Sequence, residues 1–253
     1  MSPLDQFILD VKRKKTPLHA SVYSLGQRVM RTEIPAPRAV FEPMRRAYEA
    51  QLAVSDFTRR VFFHQPMFRA ACESCGPDLL LYGGFPYLYG DLRLRIGAGC
   101  KIHGRTSLVA GKVFDAPTLE LGDHTSIGFG VVISVSKRVT LGRDVRLADG
   151  VFITDNPGHP LDAARRRNHE PVDPESVKPV FIEDDVWLGT RTIVLPGVRI
   201  GAGTVVGAGS VVSRDLPAGV LAVGSPARPV RSLLQPLERD AERVKAMAYS
   251  ETQ

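Results

Sequence analysis

The segment Asp155-Asn156-Pro157-Gly158-His159-Pro160 places a histidine inside a turn signal. An imidazole titrates near neutral pH, so it can take a proton from a substrate hydroxyl as a general base. The run of Asn, Pro and Gly predicts a turn at the surface, where a side chain can meet a substrate. A lone histidine in a loop is more often simply solvated, so its meaning depends on the elements that hold it.

A six-residue repeat of aliphatic side chains runs on both sides of this histidine. An amphipathic helix repeats every three to four residues and a lone strand every two, so neither explains a period of six. The period is typical of a parallel β-helix, in which each hexad forms a short strand and a turn and three hexads form one coil. The six-residue repeat stops after Ile153 and resumes at Ile182, which predicts a long loop around His159. The repeated positions are Ile96, Ile102, Leu108, Leu121, Ile127, Ile133, Leu141, Leu147, Ile153, Ile182, Leu188, Val194, Ile200, Val206 and Val212.

Two segments resemble a known family. Residues 186–230, which begin VWLGTRTIVLPGVRIGAG and end VGSPARPV, resemble the last coils of the hexapeptide-repeat acyltransferases of the maltose and galactoside O-acetyltransferase type. ITDNPGHPLD resembles the loop of the branch that modifies sugars of polysaccharide or lipopolysaccharide. We therefore expect a mainly β fold, a left-handed parallel β-helix with an N-terminal helical segment and a short C-terminal helix. The expected parts are a basic helical segment at 1–90, the β-helix at 91–231 with its loop at 156–180, and the C-terminal helix and tail at 232–253.

The resemblance implies a role for each matching residue in a homotrimer whose sites lie between chains. His159 is the catalytic base in the transfer of an acyl group, expected to be acetyl, from acyl-CoA to a sugar or glycan hydroxyl without a metal. The implied acceptor-binding residues are Asp155, Asn156 and Trp187. The implied residues for acetyl-CoA are Thr190, Ala208, Ser213, Arg214 and Arg228. Asp155 and Asn156 are also ordinary turn formers, which leaves a structural role open.

The sequence departs from the galactoside enzymes at one position. Those enzymes hold the sugar with an Asn on an earlier coil, where this chain has Gly130, with Ser134 and Ser136 nearby. We therefore expect a different acceptor.

Several alternatives remain open at this stage. On the same fold, a zinc hydrolyase of the γ-carbonic-anhydrase kind would use histidines such as His103, His124 and His159, and a scaffold would have no activity. Arg165–Arg167 could meet an acidic sugar or the 3′-phosphate of the cofactor, or form an exposed basic loop. Cys72 and Cys75 form a CxxC, but no second ligand pair is evident, which favours structural thiols.

The composition places the chain among soluble proteins, with 43% hydrophobic and 24% charged residues. Three cysteines and the lack of a secretory signal favour the cytoplasm. Residues 1–70 hold twelve Lys and Arg against six acidic residues, an excess equal to the net charge of +6 of the whole chain. These predicted helices either lie against an anionic membrane at the inner face or pack on the prism as a cap. We expect no nucleic-acid partner.

Overall fold

The computed structural model describes residues 2–233. The C-terminal helix predicted for 232–253 therefore lies outside the described residues, apart from its first two positions. The chain divides into two compact units at Ala53 and Val54.

The N-terminal unit is helical, as predicted. It contains α1 (Pro3–Lys12), α2 (Pro17–Met30) and most of α3 (Arg38–Arg59). Ser2 caps α1 through a capping box with Asp5, and each of the two residues satisfies a backbone amide of the other. None of the residues of these three helices is buried. Within residues 2–233, no helix combines the length and the hydropathy that a bilayer span requires.

The second unit begins with a π-helical turn (Arg60–His64) and α4 (Gln65–Ala70) and continues into a prism of short strands. The strands are β1 (Ser74–Cys75), β2 (Leu80–Tyr82), β3 (Tyr87–Tyr89), β4 (Arg93–Ile96), β5 (Lys101–His103), β6 (Ser107–Ala110), β7 (Thr118–Leu121), β8 (Ser126–Ile127), β9 (Val132–Val135), β10 (Arg138–Leu141), β11 (Arg146–Leu147), β12 (Phe152–Thr154), β13 (Val180–Ile182), β14 (Trp187–Leu188), β15 (Ile193–Val194), β16 (Arg199–Ile200), β17 (Val205–Val206), β18 (Val211–Val212), β19 (Val220–Gly224) and β20 (Ala227–Ser232).

Among β1–β18, strands that lie three places apart in the chain pair in parallel, so the strands stack into three sheets. Face A is β1-β4-β7-β10-β13-β16, face B is β2-β5-β8-β11-β14-β17-β19-β20, and face C is β3-β6-β9-β12-β15-β18. Three consecutive strands make one coil. The β-helix expected from the period of six is therefore confirmed, while its left-handedness stays a prediction. The strand β20 closes the stack by pairing antiparallel to β19.

The repeated aliphatic residues point into the prism and form one continuous core. Ile102, Ile127 and Ile153 are fully buried, as expected for one inward side chain per hexad. Buried hydroxyls at the corners link successive coils, because an interior polar group needs a partner. The Thr125 hydroxyl donates to the Gly142 carbonyl at 2.8 Å, and the Thr204 hydroxyl donates to the Pro217 carbonyl at 2.6 Å.

The prism begins earlier than the boundary expected at residue 91. Cys75, Leu81 and Leu88 pair with Ile96, Ile102 and Leu108 and complete a first coil. Cys75, Leu81 and Leu88 are six and seven residues apart, and the first of them is a cysteine. They therefore do not continue the six-residue repeat of aliphatic residues. Helix α4 packs on this coil through the fully buried Phe68, whose ring meets Phe85 edge-on at 6.5 Å.

Candidate functional site

The loop that carries His159 leaves the prism at the edge between faces C and A, which we call the loop edge. Strand β12 ends at Thr154 and β13 begins at Val180, so the loop spans 155–179. Its neck is closed by a backbone hydrogen bond of 2.8 Å from the Lys178 amide to the Asp155 carbonyl. The Gly197 amide in turn donates to the Lys178 carbonyl and fixes the neck to the next coil.

Asp155 is fully buried and its carboxylate holds the neighbouring corner. It accepts the backbone amides of Ser136, Lys137 and Arg138 at 2.7, 2.6 and 2.8 Å. The side-chain amide of Asn156 donates to it at 3.2 Å. These four hydrogen bonds occupy both oxygens and support the structural alternative over the acceptor-binding role that the resemblance implies.

Asn156 shapes the turn that presents His159. Its side-chain oxygen accepts the Gly158 amide at 2.8 Å, an Asx turn, and its side-chain nitrogen lies 3.5 Å from the Ser134 hydroxyl. Gly158 has a φ of +84°, a backbone conformation that glycine adopts without strain. The chain therefore turns sharply immediately before His159.

Two arginines organise the rest of the loop from within. The Arg165 side chain pairs with Glu170 at 3.0 Å and with Asp173 at 2.8 Å, and these contacts raise the pKa of Arg165. The Arg166 side chain donates to the Pro160 carbonyl at 2.9 Å and to the Leu161 carbonyl. Both arginines lie in α5 (Ala163–Arg167), a short helix that Asp162 caps. Two of the three arginines therefore serve the loop itself.

A cleft of about 390 Å³ lies beside His159 at the loop edge. Its chemically active side chains are Lys112, Ser136, Asn156, His159, His169 and Glu170. The His159 side chain is exposed and makes no hydrogen bond to any residue in the range 2–233. Its ring nitrogens are therefore free to meet a substrate in the cleft.

The residues implied for the pantetheine track lie at a different edge of the same prism. Thr190 follows β14 and Ala208 follows β17, so both occupy the edge between faces B and C, which we call the Thr190 edge. The Gly209 amide donates to the Thr190 carbonyl at 2.8 Å, which shows that these corners are stacked. Both side chains are small and exposed, so an extended ligand could lie along this edge. Trp187 is half-exposed on face B, next to the same edge.

The remaining three residues are exposed polar groups at the C-terminal coils. Ser213 and Arg214 follow β18 at the loop edge, and Arg228 lies on β20 of face B. Neither arginine forms an ion pair within residues 2–233, so both can meet phosphate groups. In one chain, face C separates the loop edge from the Thr190 edge, so a single chain does not bring His159 together with Thr190.

The histidines of the zinc alternative lie on three different edges. His103 accepts the Arg105 amide at 2.9 Å and packs edge-on against Tyr82 and Phe129. His124 follows β7 between faces A and B, in the left-handed conformation with φ of +59°. In the described part of the chain, no three His, Cys, Asp or Glu side chains are grouped to hold a metal ion.

The cysteines occupy the start of the prism. The Cys72 thiol donates to the Phe68 carbonyl at 3.2 Å, and burial is the main cause that raises its pKa to about 12. Burial likewise raises the pKa of Cys100 to about 11. Such thiols stay protonated at neutral pH, which fits the structural role that the sequence favoured.

Sequence reasoning missed the opposite wall of the cleft. Residues 111–117 bulge out between β6 and β7 on the loop edge and bring Lys112 towards His159. Leu108 and Leu121 are thirteen residues apart instead of six, and that irregular spacing was the available signal. His169 and Glu170 had no comparable signal, because the loop returns them to the cleft through its own internal contacts.

The last coils of the prism match a known family of repeats. Residues 179–214 match the family model described as bacterial transferase hexapeptide (six repeats). These residues, which form the coils after the His159 loop, are therefore similar to the hexapeptide repeats of bacterial transferases. The chain is 34% identical over 115 residues to the galactoside O-acetyltransferase of Escherichia coli K12, covering 46% of this chain and 54% of that protein. It is 39% identical over 108 residues to the galactoside O-acetyltransferase of Lactococcus lactis, covering 40% and 50%. The resemblance to the hexapeptide-repeat acyltransferases is confirmed, although the chain spans only about half the length of these relatives.

A solved structure shows the same fold. A single-residue variant of AntD, an N-acyltransferase from Bacillus cereus, was crystallised with dTDP-4-amino-4,6-dideoxyglucose and coenzyme A. It matches with a TM-score of 0.56 at 18% identity and covers 73% of this chain and 97% of AntD. At this identity the likeness concerns the hexapeptide-repeat prism alone.

Proposed function

We propose that this hexapeptide-repeat protein transfers an acyl group, acetyl in the first instance, from acyl-CoA to a hydroxyl of a sugar or glycan. The observation that carries the proposal is His159, free and exposed beside a cleft and held by a loop that is rigidly anchored at its neck. The names of the relatives support acetyl transfer to a sugar. The acceptor belongs to a cell-surface polysaccharide or its lipid-linked precursor, which follows from the resemblance of the loop.

His159 acts as a general base in a single transfer step. Its imidazole takes the proton of the acceptor hydroxyl as that oxygen attacks the thioester carbonyl. The carbon–sulfur bond then breaks, and the imidazolium returns the proton to the departing CoA thiolate. A backbone amide near the loop stabilises the oxyanion that forms between these events. The acyl-CoA lies along the Thr190 edge, where small side chains leave room for the pantetheine chain. Arg228 of the same chain and Arg214 at the loop edge of the neighbouring chain in a trimer meet its phosphates.

The complete site requires a homotrimer. On face A the outward residues are bound in ion pairs, such as Arg95 with Glu120 at 3.0 Å and Arg138 with Glu120 at 2.7 Å. The outward row of face C is instead mainly apolar and consists of Tyr87, Ser107, Val132, Phe152, Ile193 and Val211. A ring of three chains with face C turned inwards covers this row and closes with three identical interfaces. It also places the loop edge of one chain beside the Thr190 edge of the next.

The protein acts in the cytoplasm, with its N-terminal helices against the inner membrane surface. Support comes from the basic charge of residues 1–70 and from exposed rings among them. The exposed fractions are 40% for Phe41, 54% for Phe57, 66% for Phe62 and 58% for Phe63.

Replacement of His159 tests the proposed activity. We expect His159→Ala to lower turnover by roughly 10²–10⁴-fold, the usual contribution of a positioned general base. The acetyl-CoA dissociation constant should stay within about twofold of wild type, since the proposed role of His159 is to take the acceptor's proton and the substitution leaves the Thr190 edge unchanged. His169→Ala, a second histidine in the same cleft, is the matched control and should keep most of the turnover. Wild-type turnover in His159→Ala would show that His159 is not the general base.

A further inference from the structure

A second cleft continues the first along the loop edge towards the start of the prism. It has a volume of about 470 Å³ and shares Gly111 and Lys112 with the cleft of His159. It begins on the first coil, at Tyr89 and Asp91, and the His159 loop leaves the fourth coil. Three steps of strand spacing separate these coils, so the combined groove is about 14 Å long. We call it the edge groove; it is too long for a single sugar residue.

The side chains of the second cleft have the chemistry of a saccharide subsite. Tyr89 is 46% exposed, and the Phe114 ring is half-buried in the same wall. Aromatic faces attract the polarised C–H bonds of a sugar ring because their π-systems are negative. Asp91 and Asp115 make no hydrogen bond or ion pair with any residue from 2 to 233, so their oxygens are available to sugar hydroxyls.

The charges along the edge groove do not favour an anion. The two carboxylates are matched by Lys112 and by Lys137, whose ammonium group lies 5.4 Å from the centre of the Phe114 ring. A phosphate or a run of acidic sugars gains no net attraction from such a balanced set. Aromatic faces next to scattered donors and acceptors are instead typical of a site that holds an uncharged, hydroxylated chain.

We propose that the edge groove binds an uncharged oligosaccharide, whose residue at His159 is acylated and whose following residues lie on Tyr89 and Phe114. This inference rests on the proposed function, and it makes the acceptor a chain rather than a free monosaccharide or a nucleotide-linked sugar. The bulge at 111–117 is then a specificity element, since it forms one wall of both clefts.

A saccharide array tests the inference. Labelled full-length protein is applied to uncharged and anionic saccharides, from single residues to hexamers, and to nucleoside diphosphate sugars. The best binder and its monosaccharide are then titrated in solution. We expect the uncharged oligosaccharide to bind at least tenfold more tightly than its monosaccharide. Tyr89→Ala should reduce that advantage about tenfold, the worth of one good aromatic contact.

Tyr48→Ala is the control. Tyr48 is an exposed tyrosine of α3, 60% exposed, and it belongs neither to face C nor to the lining of the edge groove. It should keep the full advantage, and unchanged melting temperatures should show that both variants fold. Binding of no saccharide, equal binding at all lengths, a preference for anionic or nucleotide sugars, or equal losses in both variants would overturn the inference. An acetyl-CoA titration runs in parallel, since its failure would refute the proposed function and leave the saccharide result standing.

Discussion

Replacing Asp155 with alanine should destabilise the prism rather than weaken acceptor binding. The buried carboxylate accepts three backbone amides of the corner at 136–138, at 2.6–2.8 Å. Alanine provides no acceptor, and a buried amide left without a partner costs about 1–3 kcal/mol. The amide of Ser136 is buried and those of Lys137 and Arg138 are partly buried. Some water can enter the space left by the side chain, so we expect a loss of about 3–6 kcal/mol in the free energy of unfolding. For a domain of this size, 1 kcal/mol shifts the melting temperature by roughly 2–4 °C, so the expected drop is about 6–24 °C.

The assay is thermal unfolding followed by circular dichroism, beside titrations of both substrates. Asp123→Ala is the matched control, because the exposed Asp123 carboxylate accepts one backbone amide, that of Ala98 at 2.7 Å. It should lower the melting temperature by no more than about 2–4 °C, the effect of about 1 kcal/mol. If Asp155→Ala melted like wild type but bound the acceptor weakly, Asp155 would be an acceptor ligand and our reasoning on the corner would be wrong.

Two further results are expected. Arg166→Ala should lower turnover about tenfold with little change in acetyl-CoA affinity, since the two carbonyls after His159 lose their donor and the base is less well placed. Arg167→Ala, next in the chain and without such contacts in the described structure, should act like wild type, and equal effects of both changes would contradict the positioning role. Full-length protein should sediment with anionic vesicles but not with neutral ones, and the anionic binding should weaken as salt rises. Equal sedimentation with both vesicle types would argue against the electrostatic membrane contact.

The coils could be predicted because each hexad places one aliphatic residue inwards, and this local pattern is visible in the sequence. The pattern missed the first coil, where a partly buried Cys75 packs against the core in place of an aliphatic residue and Leu88 comes seven residues after Leu81. A cysteine packs there as a small apolar group, but its type alone does not mark it as part of a repeat. The position of the long loop followed from the same pattern, since the repeat stops after Ile153 and the chain must leave the stacked coils at that point.

The site was less predictable because its parts depend on the corners rather than on the hexads. Nothing in the sequence around Asp155 shows that the amides of residues 136–138 need an acceptor; the structure reveals it by stacking the two corners. The functions of Arg165 and Arg166 likewise depend on how the loop folds back on itself. The strand order of the structure places His159 and Thr190 on different edges, whereas from the sequence a site shared between chains followed only from the resemblance to the family.

Subunit complementation tests the central claim most directly. His159→Ala chains are mixed with Thr190→Trp chains, in which the indole blocks the Thr190 edge against acyl-CoA. The two are unfolded and refolded together. Each variant alone should be nearly inactive. In an equal mixture, chance pairing places an intact His159 beside an intact Thr190 at about one interface in four of the ring, so about a quarter of wild-type activity should return. If a tag pull-down shows mixed trimers and they remain as inactive as their parents, the site is built within one chain and the account is wrong.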